Sequence, residues 1–164
     1  MKSKWLWALL GVLAVVGVYA GTVLATPPSG QSTTTLARAP FEAFKLKAQS
    51  EPANVWRAKL RTHGTSDLYV IDNTFAPNGG TSGWHSHPGP SFVFVVSGTI
   101  TNYMAHGRHC MQDEYTAGQG FIDEGGDSAH KVVNNGTDPA RTIAVQFLPA
   151  GATRRIDKDE PNCN

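Results

Sequence analysis

The sequence of 164 residues predicts an all-β fold, a small barrel or sandwich of short strands behind an apolar N-terminal segment. Helical periodicity disappears after residue 51, and short runs rich in β-branched and aromatic residues recur instead, each bounded by Gly, Pro, Asn or Asp. "NNGTDPA" (134–140), with Asn135-Gly136 at its tip, is a tight-turn signature between two such runs. Short strands with regular turns are what a sandwich or small barrel requires.

The first element is the apolar run. Lys2 and Lys4 precede Trp5 to Ala25, Val23 and Ala25 fit a small-residue cleavage pattern, and Thr26-Pro27-Pro28 follows. The run is also long enough to span a bilayer uncleaved, and the two lysines would keep the N-terminus in the cytoplasm. Residues 1–25 are therefore expected to be a signal peptide or a single transmembrane anchor. The chain is expected to be exported: secreted, periplasmic or membrane-anchored, with the barrel outside the cytoplasm.

Residues 26–40 are rich in Pro, Ser and Thr and read as a linker. The domain is then 41–164, opening with a short helix over 41–51 that places Phe41, Phe44 and Leu46 loosely on one side. Strands are expected near 54–61, 67–75, 83–87, 91–96, 99–105, 120–123, 130–133 and 141–148. "SFVFVV" (91–96) is apolar on both faces, so one face lines the interior and the other needs a cover. That cover is either the segment 36–60 or a second subunit, which would make a homodimer.

Without residues 1–25 the formal charge drops from +1 to about −1, and no basic stripe remains to suggest a nucleic-acid partner. The remaining chain is one small domain with a single core. Cys110 and Cys163 form an even pair, and in an oxidising compartment they are expected to be joined by a disulfide. The bridge would pin the C-terminal tail "RIDKDEPNCN" to the middle of the domain. No C-x-x-C is present, so its role is structural.

The chemistry lies in "GWHSHPGPSF" (83–92). Strand side chains alternate, so His85 and His87 project to one face, and Ser91, Val93 and Val95 fall on that face after the Pro88-Gly89-Pro90 turn. His130 lies on a later strand, after the Gly-rich turn "EGGDS". Imidazole suits divalent transition metals (Fe, Mn, Zn, Ni), and three protein ligands leave positions open for water or substrate.

This pattern resembles the cupin superfamily of small jelly-roll barrels. Gly79, His85, His87 and Gly98 stand at the spacing of the first cupin motif, and His130 and Asn134 match the end of the second. "FIDEGGD" stands where the second motif carries Pro-x-Gly, and Ser91 stands in the slot of the first motif's glutamate. The resemblance covers about residues 65–150 and implies a double-stranded β-helix with His85, His87 and His130 as metal ligands. Some cupin oxygenases hold iron on three histidines without an acid. Losing the carboxylate would leave a formally 2+ centre that favours anionic, chelating substrates. Ser91 would then hydrogen-bond a bound water or substrate.

Candidate acid–base partners are Glu124 before the second motif's turn, Gln146 within "TIAVQFLP" and Tyr103 within "TITNYMA". Each has a structural alternative: a rim position, a core hydrogen bond and a packed aromatic. His63, His106 and His109 lie in turn-like stretches and read as solvated, and no Ser-His-Asp arrangement or phosphate loop is present. Three functions compete: metal-dependent, oxygenase-like chemistry on a small chelating molecule; a non-catalytic module binding a metal or small ligand; and a metal-free structural or interaction barrel.

Overall fold

A computed structural model of the chain describes residues 25–52, 55–107 and 109–162. The expected N-terminal apolar helix lies outside the described residues. Among those described there is no helix, hence none long and apolar enough to cross a membrane.

The strands are β1 (Gln31–Phe41), β2 (Lys45–Gln49), β3 (Arg57–Arg61), β4 (Ser66–Phe75), β5 (Gly80–Thr81), β6 (His85–Ser86) and β7 (Ser91–Ser97). They continue with β8 (Thr99–His106), β9 (His109–Thr116), β10 (Gly120–Asp123), β11 (Ala129–Asn134), β12 (Ala140–Pro149) and β13 (Ile156–Asp157). One sheet runs β1-β4-β12-β7-β10 and the other β13-β6-β11-β8-β9, with β5 also on β11 and β2-β3 as a separate hairpin. Every pairing is antiparallel.

The core forms where the two sheets meet. Ile71 and Phe75 of β4, Val93 and Val95 of β7, Phe121 of β10 and Ala144 of β12 pack with Ile100 of β8 and Val132 of β11. Period-two alternation selects these residues: β7 buries Ser91, Val93 and Val95, and β11 buries His130, Val132 and Asn134. The result is the expected all-β barrel. At the "NNGTDPA" turn, Asn134 donates to the carbonyls of Phe75, Ala76 and Asp138 and accepts from Gly136 N–H. One buried amide thus ties β11 to the end of β4.

Two expectations are corrected. The stretch read as linker is largely β1, paired with β4 from Gln31↔Phe75 to Phe41↔Ser66. Its Thr33-Thr34-Thr35 run is β-branched, and its polar composition reflects an edge strand in which Pro40 is tolerated. In place of the helix at 41–51, β2 pairs with β3 from Lys45↔Arg61 to Gln49↔Arg57, cross-strand partners that a loose periodicity does not reveal. The exposed strand β9 carries too few buried positions to show alternation. The outer face of β7 has no cover among the described residues: Phe92, Phe94 and Val96 are 42%, 51% and 44% exposed. Of the expected cover from 36–60, β1 lies along β4 and β2 pairs with β3, while Phe44 sits edge-on to Phe147 of β12. Of the expected disulfide, Cys163 lies outside the described residues, and Cys110 on β9 is not a free cysteine.

Candidate metal centre

β6 lies between β11 and β13, in register His130↔His85 and Asp157↔His85. His85 and His130 are therefore direct cross-strand neighbours, whose side chains share one face. His87 follows two residues on and returns to that face. Gly83 sets the approach: at φ 65, a Cβ there would sit 1.9 Å from the Thr26 carbonyl oxygen. Its own carbonyl accepts the His85 Nδ1–H at 2.9 Å.

Each imidazole is fixed by its Nδ1. His87 Nδ1–H donates to the Arg154 carbonyl at 2.7 Å, and His130 Nδ1–H donates to Asn102 Oδ1 at 3.2 Å. With the proton on Nδ1, each neutral ring keeps its lone pair on Nε2, and the three Nε2 atoms converge. His130 Nε2 lies 3.1 Å from His85 Nε2 and 3.4 Å from His87 Nε2. All three residues are buried and offer ligand atoms within 4.8 Å of one another.

Converging lone pairs at this range repel unless a cation lies between them. Metal–nitrogen bonds of about 2.1 Å put neighbouring donors roughly 3.0–3.4 Å apart, so the donor set fits a divalent transition metal. The residues holding Nδ1 do what second partners of metal-bound histidines do: they fix the tautomer and the ring orientation. Protonation is disfavoured as well. Burial pushes His85 far below the ordinary imidazole range, with repulsion from His130 and Arg155 reinforcing it. Burial likewise takes His87 and His130 down to about 4. Neutral imidazole is the ligand form.

The histidines open on a cavity of about 100 Å3 that Ser91, Gln146, Arg154 and Arg155 also line. Gln146 is buried: its amide N–H donates to His87 Nε2 at 3.3 Å, and its oxygen accepts from Arg154 at 3.0 Å. Arg155 pairs with Asp157 at 2.6 Å, yet its Nη2 is buried without a partner. Burial, then the charge of Arg155, lowers the Arg154 pKa. Two guanidinium groups at a small cavity make it receptive to an anion.

Of the acid–base candidates, only Gln146 reaches the histidines. Glu124 is exposed, on the rim of a second hollow. Tyr103 neighbours the inward Asn102 and so points to the opposite face of β8, where Lys131 Nζ lies 5.1 Å from its ring. His63 and His109 are exposed.

Sequence reasoning missed Asp123, the residue before Glu124. It is 4% exposed, with its Oδ2 3.4 Å from His130 Nε2 and 3.7 Å from His87 Nε2. Burial raises its pKa, partly opposed by the hydrogen bond from Gly125 N–H. A signal existed. In "GFID" the acid alternates with Phe121 on the inner face, and an inward acid in a core strand is uncommon without a partner. Asn102, Arg154 and Arg155 were also missed, and none belongs to a motif.

Residues 73–146 match the sequence profile of the cupin domain family. Among curated proteins no sequence matches the chain. Of solved structures, oxalate oxidase in complex with the substrate analogue glycolate aligns with a TM-score of 0.50 at 22% identity, over 74% of this chain and 52% of that one. The chain thus spans about half the length of that enzyme. The polyketide cyclase RemF from Streptomyces resistomycificus aligns with a TM-score of 0.51 at 14% identity, over 85% of this chain and 81% of that one. At such identities the likenesses establish the fold.

Proposed function

From the premise that residues 73–146 are a cupin domain, we propose that the chain holds one divalent transition metal on His85, His87 and His130 and acts there on a small anionic molecule. The observation that carries this reading is the convergence of three Nε2 lone pairs, each fixed by a bond from the opposite ring nitrogen. A metal-free structural barrel gives no account of that arrangement. It would bury three neutral imidazoles with their lone pairs facing one another, at a cost in stability.

Bound there, the ion supplies Lewis acidity and open coordination positions. The chain's own residues do the rest. The cavity of about 100 Å3 admits a ligand of only a few non-hydrogen atoms. The unpartnered Nη2 of Arg155 and the guanidinium of Arg154 favour a carboxylate or similar anion, and the Ser91 hydroxyl is placed to hydrogen-bond it. A small hydroxy, keto or enol acid, able to chelate through two oxygens, meets these constraints. Gln146 beside the histidines favours turnover over storage, because an all-aliphatic lining would offer no group to orient a bound molecule. Oxygenase-type chemistry is one reaction class suited to such a centre.

We read the chain as exported on the strength of the apolar run 5–25 behind Lys2 and Lys4, with a Cys110–Cys163 bridge holding the tail outside the cytoplasm. The test is titration of metal-loaded protein with small 2-hydroxy and 2-keto acids by calorimetry, followed by oxygen consumption with each binder. Binding that weakens at least tenfold in Arg155→Gln supports the anion reading. Equal affinity for neutral analogues would remove it. Binding without oxygen uptake or product formation would leave a binding module.

A further inference from the structure

We propose that Asp123 is the fourth protein ligand of the metal, replacing from β10 the carboxylate that Ser91 of β7 lacks. The inference rests on the three-histidine reading and reverses one expectation drawn from the sequence, that the centre is formally 2+.

Three independent observations meet at this residue. The first is an orphan atom: Asp123 Oδ2 is buried and has no hydrogen-bond partner. Oδ1 is tied down by Gly125 N–H at 3.0 Å, so the carboxyl is held with one oxygen anchored and the other aimed into the site. A buried carboxylate oxygen without a donor is costly unless a cation faces it.

The second observation is distance. Oδ2 is 3.4 Å from His130 Nε2 and 3.7 Å from His87 Nε2. Both rings donate Nδ1–H elsewhere, so in the neutral form their Nε2 lone pairs face this oxygen. These contacts are donor-to-donor spacings. The oxygen–nitrogen separations lie at or slightly above the roughly 3.0–3.4 Å between neighbouring ligands of one ion.

The third is register. β10 pairs with β7 at Asp123↔Ser91, so the acid sits directly across from the position where the family motif carries glutamate. Cross-strand neighbours on one face have Cβ atoms only about 5 Å apart, close enough for either position to offer a carboxylate to the same point. Local backbone supports the exchange. Gly125 adopts φ 75, and a Cβ there would lie 2.3 Å from the Gly89 carbonyl oxygen, so the turn after Asp123 nests against the Pro88-Gly89-Pro90 turn before Ser91. The two turns bring the ends of β10 and β7 together. The serine then leaves room that a glutamate would fill.

The consequence is a centre with three neutral nitrogens and one carboxylate, at a formal charge of 1+ for a divalent ion. Negative charge raises affinity for the resting metal and moderates its Lewis acidity.

The experiment uses the untagged full chain, stripped and reloaded with Co2+, with affinity measured by chelator competition and coordination followed by the visible d–d spectrum. Asp123→Asn, close in shape and uncharged, should weaken Co2+ binding at least tenfold and shift the d–d bands. Ser91→Glu in an Asp123→Ala background should recover affinity to within about threefold of wild type, because it returns the acid to the motif position. Asp123→Asn with wild-type affinity and an unchanged spectrum would overturn the proposal while leaving the three-histidine reading intact. Wild-type protein that takes up no Co2+ would overturn both. Should Asp123→Asn fail to fold, infrared difference spectra of wild type labelled with 13C at its aspartate carboxylates decide the matter. A carboxylate band that shifts on metal loading is expected, and no shift overturns the ligand assignment.

Discussion

The interior of this barrel has two layers, one polar and one dry, built from the same strands. β8 turns Asn102 and Ile100 inward, β10 Asp123 and Phe121, β11 His130 and Val132, and β7 Ser91 and Val93. On β12 the corresponding pair is Gln146 and Ala144. In each pair the two residues are two positions apart on one face, and the first member is polar while the second is apolar. Period-two alternation puts both layers inside with equal force. The dry layer removes apolar surface from water and stabilises the fold. The polar layer must instead satisfy each buried group, and it leaves Asp123 Oδ2 and Asn102 Nδ2 without partners. A layer that costs stability and converges its donors on one point is built for a ligand.

The sharpest way to separate the layers is to change neighbouring residues on β8. Ile100 is fully buried in the dry layer, and Ile100→Ala should cost about 2–5 kcal/mol in denaturant unfolding through lost burial and a residual cavity. The folded fraction should bind metal as before. A smaller loss, under about 1 kcal/mol, would mean that the dry layer can collapse around the gap.

The pH response of the metal-free protein tests the polar layer by itself. His87 and His130 are held near 4 and His85 lower still, whereas an unfolded chain protonates its histidines near 6.5. Above that value both states are neutral, and the polar layer contributes its full share. As pH falls from about 6.5 towards 4, the unfolded chain takes up protons that the folded chain refuses, so stability drops. Asp123, whose carboxyl burial holds above the usual range, works in the opposite direction, as one group against three. Urea midpoints should therefore decline steadily over that window. A midpoint constant from pH 7 to 4.5 would contradict the buried, neutral assignment.

The smallest effect is the most specific. Asn102→Leu removes the acceptor of the His130 Nδ1–H, and with it the buried, unpartnered Nδ2. Metal affinity should fall about tenfold, while stability stays level or rises. Loss of both together would place Asn102 in the dry layer's role.

How much of this was legible in the sequence follows the same division. Alternation along one strand is a local signal, so His85 and His87, Val93 and Val95, and the two-faced β7 could be read directly. His130 could be placed through its motif spacing to Asn134. Register between strands is not local. Asp123 meets Ser91 only through the pairing of β10 with β7, and nothing in "FIDEGGD" states that pairing, so attention fell on the exposed Glu124. β1 was hidden for a related reason. Its residues are polar because it is an edge, and its partner, β4, lies some thirty residues on. Arg154 and Arg155 reach the cavity because β13 doubles back onto β6, another long-range pairing.

Elemental analysis of untagged, natively purified protein decides whether the converging imidazoles bind a metal. About one equivalent of a divalent transition metal per chain is expected, and less than about a tenth of an equivalent in His130→Ala. Wild-type protein carrying under about a tenth of an equivalent of any transition metal, with no uptake on soaking, would contradict it.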